Sequence, residues 1–424
     1  MELNVLTLDD FQVKGKTVLL RVDINSPLER QTKRIKDDTR IRGCLPTIRE
    51  LSANGARTVI LAHQGDPLDY HNFTPLAEHA EVLTRLLGQP VFYIDDVAGP
   101  EARARISALQ DGEVLLLENV RIHTEETILF EEAVPLTPAE QAQTYLVRNL
   151  APLADVYVCD AFAAAHRSEP TLVGFPHVLP SAAGRLFEQE LRVLTQVRSH
   201  PARPCLFVLG GAKILDAFKM MRAALQSGAA DAVLTLGLTG EILLIAAGYD
   251  LGEATLESLA KGKLLEFVDP ARELLATYPD RLYYPLDVAF CAGNGRQEME
   301  RNSLPAPGLL VDIGQQTAAR YGELIANAGT IFVNGPAGIY EEPDSEFGTR
   351  ALWTAMAESS AFTIIGGGDS IAAARRFGVL DRFSYVCTAG GGLVRFLAGE
   401  PLAVVEALRE AALRHREQFE GGTL

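Results

Sequence analysis

The sequence lacks the features by which membrane proteins, secreted proteins and proteins with structural metal sites are recognised. It has no apolar run long enough to span a bilayer, and residues 1–20 show no basic segment followed by an apolar one. The cysteines are isolated, with no CxxC pair and no metal-type spacing with histidine: Cys44, Cys159, Cys205, Cys291 and Cys387. We therefore expect reduced thiols in a soluble, cytoplasmic protein without a membrane partner.

Positive charge is also scarce. Lys and Arg number 39 against 55 Asp and Glu, which gives a formal net charge of −16. This balance argues against nucleic acids and anionic membranes as partners. A local gathering of Arg and His would run against the overall field, so it is informative about a site.

Two common nucleotide-binding motifs are absent as well. Neither GxxxxGK[ST] nor a GxGxxG directly after the first strand occurs. Instead, short apolar runs alternate throughout with helical patterns such as residues 39–55 and 74–89. This alternation predicts an α/β fold of parallel sheets covered by helices on both faces, with ligands at the carboxyl ends of the strands.

The predicted strands end in different chemistry in the two halves of the chain. In the first half they lead into charged or hydrogen-bonding side chains: VLLRVDIN (18–25), VILAHQG (59–65), VLLLENVR (114–121) and VYVCDAFAAAHR (156–167). In the second half they lead into glycines: LFVLGGAK (206–213), VLTLGLTG (233–240), IFVNGPAG (331–338) and FTIIGGGDS (362–370). Charged ends suit a small anionic substrate, and glycine-rich ends let backbone N–H groups approach phosphates.

This difference predicts two substrate-binding domains. We place the first at residues 1–181 and the second at 201–399, with a helical segment, 182–200, between them. Residues 400–419 form a strongly amphipathic pattern whose sequence alone does not assign it to either domain. The pattern as a whole is typical of an enzyme that moves a phosphoryl group between two ligands.

Each site motif has a simpler interpretation when taken alone. The pair Gly210 and Gly211 is also expected of a tight turn, and Asp369 could be only an N-cap rather than a ligand of Mg²⁺. Lone Arg or His residues usually form surface ion pairs. The functional interpretation gains weight from their shared position, since these residues lie at or shortly after the ends of successive strands: Asp23, Asn25, Arg40, His63, Arg121, His166 and Arg167.

The same residues carry a family resemblance that spans nearly the whole chain. In order, the sequence contains RVDINSP (21–27), KDDTRIR (36–42), LLLENVR, DAFAAAHRS (160–168), LPSAAGRLFEQEL, GGAK, NGPAG and IIGGGDS. These motifs resemble the phosphoglycerate kinase family, and RVDINSP, AHQG, DAFAAAHRS and LVGFPHVLPS are most similar to its archaeal branch. The resemblance implies two doubly wound, Rossmann-like domains joined by a hinge helix, with the C-terminal segment 400–424 returning to the first domain.

The resemblance also implies an activity. It is a reversible phosphoryl transfer between ATP and the carboxylate of 3-phosphoglycerate, which gives 1,3-bisphosphoglycerate and ADP in glycolysis and gluconeogenesis. Mg²⁺ would accompany the nucleotide, the ligands would be small molecules, and the protein would be a monomer or a homodimer.

Matching positions then receive roles by resemblance. Asp23 and Asn25 would bind the hydroxyl and carboxyl region of the acid, and Arg40 would stabilise the transferring phosphoryl group, while the acid's own phosphate would be held by His63, Arg121 and Arg167. Lys213 would act with Gly211 and Ala212 on the nucleotide phosphates. The adenosine site would be lined by Asn334, Pro336, Gly338 and Glu341, with Glu341 at the ribose. The helix start would contribute Gly367, Gly368 and Ser370 near the phosphates, and Asp369 would hold the Mg-nucleotide.

Three positions depart from the family pattern. Asp66 stands where an Arg near the acid's phosphate is expected, and Ala217 replaces a phosphate-contacting Lys, with Lys219 two residues further on. TLGLTG (235–240) has fewer glycines than the usual nucleotide loop. Two alternatives therefore stay open: a kinase of the same fold for a different carboxylic acid, and a catalytically impaired relative.

Overall fold

The computed structural model describes residues 3–65, 72–291 and 295–420. They separate into two compact units, one formed by the described part of Met1–Arg192 and Pro401–Leu424 and the other by that of Val193–Glu400. The division falls inside helix Arg185–Ser199, within the segment proposed to join the domains. The exact domain limits and the hinge role of this helix stay predictions.

The first unit is built on a parallel sheet. Its strands are β1 Thr17–Arg21, β2 Arg57–Leu61, β3 Val91–Tyr93, β4 Val114–Leu116, β5 Val156–Cys159 and β6 Ser181–Ala183. Their order is β3-β4-β2-β1-β5-β6, and all neighbours run parallel. The chain turns from one side of β1 to the other, so the loops after β1, β2 and β5 meet at the switch point where ligands bind in such sheets.

Helices cover both faces of this sheet, which explains why the strands are continuously apolar. Every residue of β1 is buried, as expected for a strand in the middle of a covered parallel sheet. The helices are α1 Thr39–Ala53, α2 Ala77–Leu87, α3 Pro100–Ser107, α4 Ile128–Ala133, α5 Pro138–Gln141, α6 Tyr145–Leu150 and α7 Phe175–Val178, followed by α8 Arg185–Ser199.

The last helix belongs to the first unit. It spans Ala403–Glu420, and the N–H of Val404 donates to the carbonyl of Ala165 at 3.0 Å. The apolar stripe of this helix is buried, including Val405 and Leu408. The packing settles what the amphipathic pattern left open.

The second unit contains two sheets. Strands β7 Cys205–Leu209, β8 Ala232–Thr235, β9 Leu282–Tyr283, β13 Thr330–Asn334, β14 Phe362–Gly366 and β15 Tyr385–Cys387 form a parallel sheet in the order β15-β14-β13-β7-β8-β9. A smaller antiparallel sheet has the order β11-β10-β12, from β10 Asp287–Cys291, β11 Arg296–Glu300 and β12 Leu310–Ile313. The parallel α/β architecture predicted from the sequence is confirmed; the small sheet was not predicted, because the residues of β11 are almost all charged or polar.

The helices of this unit follow its strands. They are α9 Ile214–Gln226, α10 Gly237–Ala246, α11 Glu253–Lys261, α12 Val268–Thr277, α13 Gln315–Ala326, α14 Phe347–Glu358, α15 Gly368–Arg376 and α16 Gly390–Leu397, so that the helix that closes the chain is α17. In the part of the chain that the structure describes, no helix combines the length and the apolar character needed to cross a membrane.

Candidate active site

In the first unit, the loop after β1 carries two of the predicted substrate residues. Arg40, in the first turn of α1, donates from Nη1 to both carboxylate oxygens of Asp23 at 2.9 Å. Asn25 and Gly65 exchange hydrogen bonds, with Gly65 N–H donating to Asn25 Oδ1 at 3.0 Å and Asn25 Nδ2 donating to the Gly65 carbonyl at 3.3 Å. The loops after β1 and β2 are thereby fixed to each other.

The backbone conformation at residue 65 requires a glycine. Its φ of +104° is unfavourable for residues with a side chain, and a Cβ at this position would lie 2.5 Å from Phe73. The same carbonyl accepts a hydrogen bond from Nη1 of Arg121. Asn25 and Arg121 therefore meet at Gly65. His63, a third predicted substrate residue, lies two residues before Gly65 in the same loop after β2.

His63 is held by an arginine that the sequence did not single out. Nη2 of Arg21, a fully buried side chain, lies 3.0 Å from Nδ1 of His63. A guanidinium has donors but no acceptor, so Nδ1 must accept and the ring proton must sit on Nε2. Burial holds the pKa of His63 well below its ordinary value, and nearby arginines lower it further. His63 is therefore a neutral hydrogen-bond donor through Nε2.

Those arginines form a cationic cluster within an acidic chain. The residues that depress the pKa of His63 after burial are, in order, Arg121, Arg21, Arg40 and Arg167. Burial also lowers the pKa of Arg121, and its Nε has no hydrogen-bond partner among the described residues. A buried, unpaired guanidinium N–H beside three more guanidinium groups is suited to an anion.

Buried acids lie behind the cluster. Glu169 is 3.5 Å from Arg167 and 4.0 Å from Arg21. Thr171 accepts from Arg21 Nε at 2.9 Å and donates to Glu126 at 2.7 Å. Burial raises the pKa of Glu126 to about 8 and that of Glu169 above its ordinary value, so these acids only partly neutralise the cations.

The second unit contains a cavity of about 350 Å³ at the carboxyl ends of its parallel strands. Of the predicted nucleotide residues, those that line it are Gly211, Ala212, Pro336, Gly338, Glu341 and Asp369. The remaining ones lie outside its lining: Lys213, Asn334, Gly367, Gly368 and Ser370. Sequence reasoning missed further lining residues, among them Glu241, Ser258 and the apolar run Leu309–Val311.

The glycines of this unit serve the contact between two loops. Gly210 N–H donates to the Asn334 carbonyl at 2.9 Å, and Gly211 N–H donates to the Pro336 carbonyl at 2.8 Å. Gly335 has a φ of +91°, and a Cβ there would overlap the Gly210 carbonyl. The loops after β7 and β13 can form this cavity wall only because neither carries a side chain at the contact.

The helix start after β14 supports the same wall. The buried hydroxyl of Ser370 accepts the Gly335 N–H at 2.6 Å, so this oxygen holds the loop. The Asn334 amide oxygen lies 3.0 Å from the Cβ position of Gly367. The phosphate-binding role of Ser370 stays a prediction.

Two charged groups that the sequence predicts at the nucleotide phosphates, Asp369 and Lys213, are exposed. Asp369 lies in the first turn of α15, and its carboxylate has no hydrogen-bond or ion-pair partner within residues 3–65, 72–291 and 295–420. Lys213 is exposed immediately before α9. No cluster of three or more His, Cys, Asp or Glu side chains in those ranges could hold a metal ion by itself. A single carboxylate fits Mg²⁺ that arrives with nucleotide phosphates as its other ligands.

The departures from the family pattern are placed as follows. Ala217 is buried on α9, and Lys219 forms an ion pair with Glu400 at 3.7 Å. Gly237 begins α10 with a φ of +50°, which gives the TLGLTG loop one glycine in a left-handed conformation. Asp66 lies outside the described residues.

The fold and these two sites define a class: an α/β phosphotransferase with a cluster of cationic side chains in one unit and a glycine-walled cavity in the other. The family described as phosphoglycerate kinase matches residues 8–400. Phosphoglycerate kinases of Methanothermobacter thermautotrophicus and Methanopyrus kandleri are each 44% identical over 405 residues, covering 96% of this chain and 97% of the relative.

Solved structures agree with the sequence relatives. Phosphoglycerate kinase from Pyrococcus horikoshii matches with a TM-score of 0.87 and 38% identity, covering 96% of this chain and 99% of that one. The enzyme from Coxiella burnetii matches with a TM-score of 0.81 and 30% identity, covering 96% and 100%. The chain belongs to the phosphoglycerate kinase family, archaeal type, and is a glycolytic kinase that transfers phosphate to a carboxyl group. No comparison favours either alternative raised by the sequence.

Proposed function

We propose that the chain binds 3-phosphoglycerate in its first unit and Mg-ATP in its second, and that the carboxylate oxygen of the acid attacks the γ-phosphorus. One P–O bond forms to the carboxylate as the bond to the ADP oxygen breaks, so no proton has to be transferred. The products are 1,3-bisphosphoglycerate and ADP, and the step is reversible. The observation that carries the assignment of the acid site is the set of four arginines around a neutral His63.

The acid's phosphate is assigned to Arg121, Arg167 and His63. Two guanidinium groups supply charge and a fork of donors, and Nε2 of His63 supplies a neutral donor that needs no counter-ion. Asp23 and Asn25 are assigned to the hydroxyl and carboxyl end. Because Arg40 is bonded to Asp23, it is held at the position where the carboxylate would approach the phosphoryl group.

The nucleotide is assigned to the 350 Å³ cavity. The backbone N–H of Ala212, with Lys213, is assigned to the phosphates, and Glu341 to the ribose. The N–H of Gly211 is already bonded to the Pro336 carbonyl, so this glycine contributes by letting the loop approach the phosphates closely. Asp369 would hold Mg²⁺, which supplies positive charge to the phosphate oxygens when bound. The residues named here contribute by position and charge, which is how this reaction class is catalysed.

The surroundings of the enzyme form part of the proposal. The net charge of −16 favours small-molecule ligands over nucleic acid, and the isolated cysteines favour the cytoplasm. The oligomeric state, monomer or homodimer, is open to light-scattering measurement.

A coupled assay with ATP and 3-phosphoglycerate tests the proposal. We expect turnover that requires Mg²⁺ and 3-phosphoglycerate together. Turnover with another carboxylic acid and none with 3-phosphoglycerate would favour the kinase for a different acid. Absence of turnover with intact nucleotide binding, measured by calorimetry, would contradict the catalytic part of the proposal alone.

A further inference from the structure

The nucleotide cavity contains a carboxyl group that none of the roles above uses. Glu241 lies on α10 one turn after Gly237, and both residues line the cavity. Its side chain is only 9% exposed, and within the described ranges no hydrogen bond or ion pair reaches its carboxyl group. A largely buried carboxyl group that reaches solvent only through a cavity and has no protein partner in the described ranges is unfavourable in the free protein, which points to a ligand as its partner.

Its location is the end of the cavity away from the phosphates. Gly211 and Ala212 come from the loop after β7 and Asp369 from the first turn of α15. Glu241 lies about 6 Å further along α10 than Gly237, at 1.5 Å per residue. There α10 packs on β12, which contributes Leu310 and Val311 to the lining. An acid without a cation would repel phosphates, so the uncharged base is the part of a nucleotide that can lie against it.

The hydrogen-bonding pattern of a carboxyl group depends on its protonation. A neutral acid has one O–H donor and one carbonyl acceptor, which match the N1 acceptor and the N6 amino donor of adenine. Guanine presents N1–H and N2 amino donors on the same edge, which need two acceptors and therefore an ionised carboxylate. Each form of the acid leaves the other base with unpaired or opposed donors, and a buried polar mismatch of this kind gives strong discrimination.

We propose that Glu241 is a specificity-determining residue that bonds the Watson–Crick edge of the purine: it selects adenine nucleotides in its neutral form and guanine nucleotides when ionised. The inference rests on the proposed function, in which this cavity holds the nucleotide. Burial raises the pKa of Glu241 to about 8, which supports the neutral, adenine-selective form at pH 7.

Neighbouring charges do not account for this protonation state. Ionisable groups occur on the elements packed against α10 and in the cavity wall: Asp216, Lys219 and Arg222 on α9, Asp269, Arg272 and Glu273 on α12, Asp312 on β12, Glu266 in the turn Leu264–Phe267, and Tyr340, Glu341 and Asp369 at the cavity. Burial alone shifts the pKa of Glu241, so none of these groups contributes to the shift. The protonation state of Glu241 is then expected to respond mainly to a bound nucleotide base, which excludes water from the carboxyl group and forms hydrogen bonds with it.

The test compares ADP and GDP binding by calorimetry at pH 6.5 and 8.5. With a pKa of about 8, the ionised fraction of Glu241 rises from about 3% to about 75% over this interval. Since apparent affinity scales with the competent fraction, we expect the ADP:GDP affinity ratio to fall at least tenfold, roughly, in the unmodified protein. Glu241→Gln, whose amide keeps one donor and one acceptor, should prefer ADP at both pH values. Because this amide does not titrate, any change of its ADP:GDP ratio with pH measures the titration of the nucleotides themselves.

Glu241→Leu supplies the apolar control and should bind ADP and GDP with similar affinity at both pH values. Circular dichroism and thermal unfolding verify that each variant is folded. The inference is overturned if the ratio in the unmodified protein is independent of pH, or if Glu241→Leu keeps that ratio. If the enzyme turns over ATP and 3-phosphoglycerate but its ADP:GDP affinity ratio does not change with pH, the proposed function is supported and the role of Glu241 is refuted. If neither ADP nor GDP binds, the proposed function and the role of Glu241 are both refuted.

Discussion

Arg21 offers the sharpest test of how the acid site is held together. Its side chain is fully buried and donates to Thr171, to the Val22 carbonyl at 2.6 Å and to His63. Replacement by methionine fills similar volume but removes the cation from beside Glu169. Breaking a buried ion pair by deleting one partner costs about 3–5 kcal/mol. The lower end of this range is expected here, because Arg167 stays 3.5 Å from Glu169 as a second cation.

The expected change in thermal stability follows from this cost. For a unit of this size, 1 kcal/mol corresponds to a shift of about 2–4 °C in Tm, so a loss of about 3 kcal/mol in Arg21→Met should lower the Tm of the first unit by roughly 6–12 °C. Arg57→Met is a matched control, since Arg57 forms a half-exposed pair with Asp111 and should lose less than about 1 kcal/mol. Two transitions are expected from two units, so the loss is assigned by hydrogen exchange of β1 amides.

The effect of Arg21→Met should depend on pH. Arg21 lowers the pKa of both Glu126 and Glu169, although burial raises each overall, to about 8 for Glu126. The stability that Arg21 contributes is present where these acids are ionised and is lost as pH falls through their folded pKa values. The difference in Tm between Arg21→Met and the unmodified protein should therefore be larger at pH 9 than at pH 6.

A second substitution checks the cause. If uncompensated charge is responsible, Glu169→Gln added to Arg21→Met should restore part of the lost stability at pH 9. A Tm loss no greater than that of Arg57→Met, or a double variant no more stable than the single one, would refute the reasoning. Nitrogen NMR gives an independent measurement, since His63 should hold its proton on Nε2 only while Arg21 occupies Nδ1.

Three further substitutions address the remaining assignments. Arg40→Ala should reduce kcat by roughly 10²–10³ with little loss of acid binding, whereas Arg42→Ala, in an exposed pair on the same helix, should leave kcat unchanged; equal kcat values would remove Arg40 from the transition state. Gly335→Ala should raise the KM for ATP and lower the Tm, because the φ of Gly335 is +91° and the added Cβ overlaps the facing loop. Gly322→Ala serves as control, since no atom lies near its Cβ position. Equal KM and Tm values for the two variants would exclude the close contact. Asp66→Arg should lower the KM for 3-phosphoglycerate if Asp66 faces that phosphate; an unchanged KM would show that it does not.

The sequence was sufficient to predict the parallel α/β fold and the two kinds of strand end, charged in the first half of the chain and glycine-rich in the second. Period and residue type are local properties, so the end of β1 at Arg21 and the glycines after β7 and β14 could be recognised without a structure. Family motifs then supplied roles for residues such as Asp23 and Arg40. The structure added the hydrogen bonds that join them.

What could not be predicted depends on contacts between distant residues. Arg21 was read as part of a strand, since nothing local indicates that Thr171, 150 residues away, would receive its Nε proton. The polar strand β11 forms because it pairs with β10, not because of its own pattern. Glu241 did carry a signal, as the single charged residue of an apolar helix, but only the cavity shows why it is there.

A comparison of buried acids within the second unit strengthens the case for Glu241. Asp287 accepts hydrogen bonds from Thr317 and from the Gln316 N–H at 2.8 Å. Asp312 pairs with Arg296 at 2.9 Å and accepts the Gly348 N–H at 2.7 Å. These acids are compensated where they lie, whereas Glu241 faces a cavity and has no partner in the described part of the chain. Since leaving such a group uncompensated costs stability, its partner is expected to arrive with the ligand.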